Sequence, residues 1–384
     1  MDDTSMLSFY RRHSVAPVRQ ETSDLDAHFA RRRVLYQQLG IPAVVFTGRD
    51  VLEIGPGTGQ NALFVTAQNP SHLVLVEPNP KGVEEILSNF APFPVWRDLL
   101  SIQELSIEQY RDTRQFDIVL CEGLVGASGQ VDAHGLLSCI AAKVRPGGLL
   151  VVTCIDYVGY LAEMLRRLLG FEVAGHLENV TQRVAAMLPM FSPHLSSLRG
   201  MSRRYDDWII DNLINPASIG KLIGFEDLLG YLGDDFDVLS SSPRFIVDWT
   251  WYKNAALEEG FFNRAALECY RRNLHNFIDY RCVYPPREEA KNHTLSARCE
   301  EIHHQIGELE RTRDHSVRQQ IIVNLRALQQ DLSSDLPTVA AALAEMLGWL
   351  LASSIDLQSV AHSENFGTWF GRGQTYISFV RRKP

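Results

Sequence analysis

Glu53, Gly55, Gly57 and Gly59 stand at alternate positions where a short apolar run, residues 51–54, breaks into a turn. Glycines there leave out every side chain at the point where the backbone must bend sharply and approach a ligand closely. The amides of the helix that follows then face that ligand, an arrangement suited to a nucleotide-type molecule. Glu53, on the strand before the turn, is placed to accept a hydrogen bond from an ammonium group. A dinucleotide loop wants glycine or alanine where Gln60 stands, so an NAD-dependent oxidoreductase is disfavoured.

More polar groups fall where the pattern predicts strand ends. Glu77 closes the apolar run 73–76, where a carboxylate can accept both hydroxyls of a ribose. Asp98 follows an expected third strand at 93–96, Glu122-Gly123 ends 116–121, and Asp156 ends 149–154. Unpaired carboxylates are costly to bury, so several along one rim mark a site; charged strand ends running into solvent are the plain alternative. Asp207 and Asp211 lie one helical turn apart with Trp208 between them. They form either a face salt-bridged to Arg203 or an acidic wall for a cationic acceptor. Residues 362–374 gather His362, Trp369 and Arg372 among three glycines. That composition suits a loop folded against a substrate, and equally a tight turn that packs helices onto the core. His303, His304 and His315 gain no carboxylate or cysteine to complete a tetrahedral set, so no metal site is expected.

The elements that must hold these groups alternate. Strand at 49–54, helix at 60–68, strand at 73–76, helix at 80–90, strands at 93–96 and 116–121, helix at 135–144 and strand at 149–154 predict a parallel sheet with helices on both faces. Its ligand belongs at the carboxyl ends of the strands. Ahead of it, residues 1–24 read as a frayed end or as an arm over a pocket. A helix at 23–39, capped by Ser23, puts Phe29, Val34, Leu35 and Leu39 on one face. After the fifth strand come a helix at 159–169 and a sixth strand from Phe236, with no partner for it until the alternating residues 374–381. Amphipathic helix at 295–332, one long or two abutting, and a second at 337–352 fill the gap and pack together more naturally than they dimerise. The chain divides accordingly into 1–175 (arm and main part of a core), 176–232 (helical substrate cap), 233–249 (sixth strand region), 250–365 (helical insertion) and 366–384 (last core strand).

In order and spacing, residues 53–59, Val74-Leu-Val-Glu77, Asp98, Phe116-Asp-Ile-Val-Leu-Cys-Glu122 and Val144-Arg-Pro-Gly-Gly-Leu-Leu-Val-Val152 resemble successive motifs of the class I S-adenosylmethionine-dependent methyltransferases. The resemblance covers roughly residues 45–157. It implies an α/β, Rossmann-like fold: a seven-stranded, mostly parallel sheet with an antiparallel last strand, here with a helical cap and insertion. It also implies S-adenosyl-L-methionine as cofactor and S-adenosyl-L-homocysteine as product. By that likeness Gly55, Gly57 and Gly59 pack under the methionine part with Glu53, Glu77 holds the ribose, Asp98 meets the adenine amino group with Leu99 against the ring, and Glu122 and Gly123 line the methionine end.

A sulfonium methyl is already an electrophile, so the protein has mainly to align a nucleophile and exclude water. A base is needed only for a protonated acceptor, with His362, Glu122 and Asp156 as candidates. Trp208, Asp211, His362, Trp369 and Arg372 are the expected substrate contacts. The Asp/Asn/Ser-Pro-Pro-Tyr/Phe turn of amino-methylating nucleic-acid enzymes is missing after the fourth strand, and Tyr284-Pro285-Pro286 lies far off in the insertion. No Pro-Cys nucleophile and no Asp-Asn partner for Asp156 appear. The formal charge of −9 and pI near 5.8 oppose a basic nucleic-acid groove. Scattered cysteines and the lack of a secretory pattern suggest a cytoplasmic protein. Glu345, Pro337 and Ser353-Ser354 make the apolar stretch 336–357 a buried helix rather than a membrane span. The expectation is in-line O- or N-methylation of a small molecule by a monomer or homodimer. Its rivals are a nucleic-acid or protein methyltransferase that reads its target with the insertion, and a non-catalytic nucleoside-binding or scaffold protein.

Overall fold

The computed structural model describes residues 5–126 and 132–383. Its sheet has the order β3-β2-β1-β4-β5-β7-β6, with β1 Asp50–Ile54, β2 His72–Val76, β3 Leu100–Gln103, β4 Phe116–Cys121, β5 Val144–Ile155, β6 Phe236–Ser242 and β7 Gln374–Arg381. The first five strands are parallel, and β7 runs antiparallel to both β5 and β6. β1, β2 and β4 are near-continuous apolar runs, as strands covered on both faces must be. Their side chains, including Val51, Leu73, Leu75, Ile118 and Leu120, join Phe64, Ile86 and Phe90 in one core cluster.

The third strand departs from expectation. Pro94–Arg97 is a single helical turn, opened by Pro94 at a position where its missing N–H costs nothing, and β3 begins only at Leu100. Asp98 and Leu99 therefore sit at the amino end of β3, on the edge of the sheet opposite the one where ligands bind. The adenine assignment built on their following the third strand loses its basis. Gln103 and Glu104 are the residues at that strand's carboxyl end.

The chain forms two compact units, Met1–Ile155 with Lys221–Tyr270 and Gln374–Pro384, and Asp156–Gly220 with Arg271–Gly373. Residues 221–270 thus stay with the sheet, where Phe225 packs against the rings of Phe245 and Tyr270 at 5.3 and 5.2 Å. The helix after β5, Leu161–Ala174, opens the second unit instead of closing the core. That unit is helical: Val180–Ser196, Tyr205–Ile209 and, farther on, Glu289–Thr312, His315–Leu332 and Pro337–Leu351. Of the two arrangements expected over 295–332 the chain takes the two abutting helices: Arg313, in the left-handed region at φ 56°, divides them, and Asp314 caps the second through the Ser316 amide. Among the described residues no helix is long and apolar enough to cross a membrane.

Two N-terminal elements position the ligand edge of the sheet unit. Helix Leu25–Gln38 is capped by Asp24, not Ser23, and its buried stripe is His28, Arg32 and Tyr36, while Val34 lies exposed. Helix Met6–His13 and the segment behind it form an arm rather than a frayed end. Arg11 Nη2 donates to the Pro78 carbonyl, Asn79 Nδ2 donates to the Val15 carbonyl at 3.0 Å, and Val18 rests against Gly57.

Candidate active site

The carboxyl ends of β1, β2 and β4 share one edge, and the sequence-selected groups converge there. Gly55, Gly57 and Gly59 all adopt positive φ, at 66°, 60° and 77°, a region open to glycine at little cost. A Cβ on Gly59 would press on Ile86 Cγ1 at 2.8 Å, so the close packing of the next helix also requires glycine. Gly59 is the N-cap of helix Gln60–Thr66 and supplies no capping side chain. Gln60 is turned inward, bonded to the Thr58 hydroxyl, with its carbonyl 3.0 Å from His28 Nε2.

Glu77 closes β2 and binds the glycine turn directly: Oε2 accepts the Gly57 amide at 2.9 Å and Oε1 the Asn79 amide at 2.8 Å. Burial pushes its carboxyl up to about 7, against the pull of those two amides. Glu53 is more exposed to the same effect. Its Oε2 is buried without a hydrogen-bond partner, and burial together with the nearby Glu122 charge pushes it up to about 8. Glu122, at the end of β4, is gripped by Arg32 Nη2 at 2.6 and 2.8 Å and by the Tyr36 hydroxyl at 2.9 Å. Gly123, at φ 88°, turns the chain away and donates its amide to Thr153 Oγ1 at 2.7 Å. Arg32 and Tyr36 escaped the sequence reading. Their signal was the polar i, i+4 line His28-Arg32-Tyr36, which is hard to explain as a surface once its neighbours Phe29 and Leu35 are seen to pack too.

These groups fit a nucleoside carrying an amino acid tail. A buried carboxylate oxygen waits for a donor beside a turn stripped of side chains, and a second carboxylate sits at the adjacent strand end. Bound there, S-adenosylmethionine supplies a methyl group that is already electrophilic. Glu53 suits its ammonium group, Glu77 its ribose, and Arg32 with Glu122 the charges at the methionine end. Asp98 and Leu99 are not part of this edge.

The second unit holds the remaining candidates. Asp156 closes the turn ahead of its first helix, Oδ1 accepting the Gly159 amide at 2.7 Å, and burial pushes its carboxyl up to about 6. Trp208 is nearly buried and meets Phe370 edge-on, with ring centroids 6.3 Å apart. Asp211 pairs with Arg203 at 2.9 Å, so the acidic wall is neutralised on that side. Trp369 is fully buried and donates Nε1 to the Ile278 carbonyl at 2.7 Å. Arg372 donates to the carbonyls of Asn276, Asp279, Tyr280 and Cys282. The last two side chains are thereby committed to holding loop 276–282, which is the packing alternative rather than the substrate-facing one. His362 follows the short helix Leu357–Ala361 and is exposed. Tyr284-Pro285-Pro286 serves packing as well: Asn276 Nδ2 donates to the Tyr284 carbonyl, and His275 Nε2 lies 3.1 Å from that of Pro285. Among the described residues no group of histidine, cysteine, aspartate and glutamate is arranged to hold a metal ion.

The strand order, the antiparallel β7 and the acid-flanked glycine turn define a Rossmann-like protein of the class I methyltransferase type. The match to known families agrees with that fold: residues 27–185 match the family described as a methyltransferase domain. No curated protein matches the chain in sequence. Among solved structures it is similar to the glycopeptide N-methyltransferase MtfA, at 18% identity over 28% of this chain and 50% of that one, TM-score 0.26. The CcbJ methyltransferase from Streptomyces caelestis is 21% identical over 30% and 52%, TM-score 0.27. PKMT2 from Rickettsia typhi is 14% identical over 64% and 49%, TM-score 0.42. The chain spans about half the length of each of these three structures.

Proposed function

We propose that this protein is an S-adenosylmethionine-dependent methyltransferase that acts on a small molecule, by direct in-line transfer to an oxygen or nitrogen. The observation that carries the reading is topological. The chain leaves the sheet unit after Ile155, at the carboxyl end of β5, rejoins it over Lys221–Tyr270, and returns for the last time at Gln374, which pairs with Ile155 in the sheet. The first departure and the last return thus both fall at the carboxyl end of β5, a natural point of attachment for segments that bind an acceptor. Against a nucleic-acid target stands the mixed charge of the second unit's cleft of about 550 Å³, where Arg272, Arg287 and Lys291 alternate with Glu288 and Glu289.

In the proposed site the chain's own work is binding, orientation and exclusion of water. Glu53 and Glu77 fix the two ends of the nucleoside, and Arg32 holds Glu122 in place. Where the acceptor must lose a proton, the candidates are Glu122, Asp156 and His362. Glu122 is held by Arg32 and Tyr36 and Asp156 by the Gly159 amide, which leaves exposed His362 the candidate of the three with no such bond among the described residues.

The deciding experiment incubates the protein with methyl-labelled S-adenosylmethionine and separate small-molecule, RNA and protein fractions of a cell extract. Label confined to the small-molecule fraction is the expected outcome. Label in precipitated RNA or protein overturns the reading. With an acceptor in hand, His362→Ala is expected to lower turnover by about 10²-fold, and unchanged turnover removes His362 from the chemistry.

A further inference from the structure

The chain's two exposed tryptophans stand one residue apart. Trp249 is 94% exposed and Trp251 59%, whereas the other four tryptophans are buried or half-buried. Tyr252, Leu257 and Phe262 join them at 70%, 85% and 54%, and Val247 is exposed as well. All six belong to the sheet unit, in the segment that follows β6. A single apolar side chain on a surface needs no explanation, but six within one short stretch do. The stretch is also firmly mounted. Just ahead of it, the Phe245 ring packs on Phe225 and Tyr270 at 5.3 and 5.8 Å, and the Cys269 thiol donates to the Val247 carbonyl at 3.2 Å. At its far end, helix Phe261–Asn273 is tied to β6, the outermost strand, by the Asn263 amide, whose Oδ1 accepts the Val238 N–H at 2.9 Å and whose Nδ2 donates to the Phe236 carbonyl at 2.8 Å. Between these anchors the Trp251 and Tyr252 rings meet edge-on at 5.9 Å, with the Lys253 ammonium 4.8 Å from the Trp251 ring centre.

Area and charge together name the occupant. An aromatic side chain offers about 150–250 Å², so at these exposures the four rings present roughly 400–700 Å² to solvent. With Val247 and Leu257 added the patch nears the roughly 800 Å² that each partner brings to a standard interface, and exceeds the largest apolar patch of a typical monomer, about 300–600 Å². Around it Arg244, Lys253 and Arg264 are matched in number by Asp248, Glu258 and Glu259. An anchor on an anionic bilayer needs an excess of lysine and arginine, which neither this stretch nor a chain of formal charge −9 supplies. An apolar centre with equal numbers of both charges is instead complementary to itself. Under a twofold axis the rings of two copies meet, and the cations of each can face the acids of the other.

We propose that a second copy of this chain covers the patch, so that residues 247–262 form the centre of a twofold dimer interface with Trp249 and Trp251 as its anchors. Tryptophan is the residue type that most often carries the energy of such a centre. The glycine turn lies on β1, separated from β6 in the sheet by β4, β5 and β7, so dimerisation and cofactor binding are separable. The inference stands apart from the identity of the acceptor.

The test is sedimentation velocity of the full chain across the micromolar range. The expected species has twice the mass of the chain and gives way to single copies on dilution. Trp249→Ala is expected to raise the dissociation constant of the dimer by about 30-fold or more, as loss of a central tryptophan does. Leu257→Ser, at an equally exposed position, is expected to raise it too. Both side chains stand in solvent, so each variant is expected to keep the wild-type circular dichroism spectrum, and should one of them lose its fold the other decides. A wild-type chain that stays single throughout the range overturns the proposal, and so does a dimer that the folded variants leave intact. Wild-type protein that floats with phosphatidylcholine vesicles, where Trp249→Ala protein does not, assigns the patch to a bilayer and overturns it as well.

Discussion

The turn at Gly55–Gly59 and the loop at residues 366–373 both mix glycine with polar neighbours, yet the two are put to opposite uses. In the second loop every notable side chain is consumed locally. Arg372 satisfies four carbonyls, Trp369 a fifth, and Gly371 is glycine because a Cβ would collide with the Gly159 carbonyl. In the first, Glu53 keeps a buried oxygen unmatched, and Glu77 accepts only backbone amides. The lesson is about satisfaction rather than composition: a ligand loop is recognised by polar groups that the protein leaves unanswered.

The contrast can be broken at either loop. Arg372→Ala should have the largest effect, about 3 kcal/mol of lost stability from several orphaned carbonyls, read by denaturant unfolding. Its S-adenosylhomocysteine affinity should stay within about twofold; a large loss of affinity in a folded variant would return that loop to the binding site. Next comes Glu77→Ala, expected to weaken cofactor binding by about 10- to 100-fold, as losing hydrogen bonds to a charged group does. Unchanged calorimetric affinity would cancel the ribose assignment.

The unanswered carboxylates of the cofactor edge also predict a pH signature. Glu53 and Glu77 titrate near 8 and 7 in the folded chain and near 4.5 when unfolded. Below 4.5 both states hold their protons and the stabilisation is complete. As pH rises from there to about 8 the unfolded chain ionises first, and stability falls. The cofactor-free protein should therefore be less stable at pH 8 than at pH 5, on the order of a few kcal/mol, with Asp156 and Glu163 contributing in the same direction. Glu53→Gln should flatten the slope, and an unchanged slope would mean that Glu53 is not the buried acid inferred here. The smallest expected change is Asp24→Ala, about 1 kcal/mol from the uncapped helix that carries Arg32 and Tyr36.

Much of the sheet was legible because its strands are apolar runs closed by glycine, proline or acid, and β7 was found at its true bounds by alternation alone. The third strand was not. A four-residue apolar run fits a strand or a helical turn equally, and Pro94 decided for the turn. The second unit was legible as helix but not as function, since sequence cannot say whose carbonyls a guanidinium will satisfy. The burial of Glu163 was missed for a related reason: beside Arg166 it reads as half of a surface pair. The clue was its setting among Leu161, Met164, Leu165, Leu168 and Leu169, a helix apolar nearly all round and therefore buried.

The placement of β7 between β5 and β6 governs how the sheet unit can be assembled. β6 touches the sheet only through β7, which the ribosome delivers after the whole helical unit. Until then β5 presents an open edge and β6 has nothing to join, so the nascent protein must wait with its sheet unfinished. Such long-range closure is slow and leaves strands available for wrong partners. A chaperone-starved host should therefore lose a large share of this protein to aggregates.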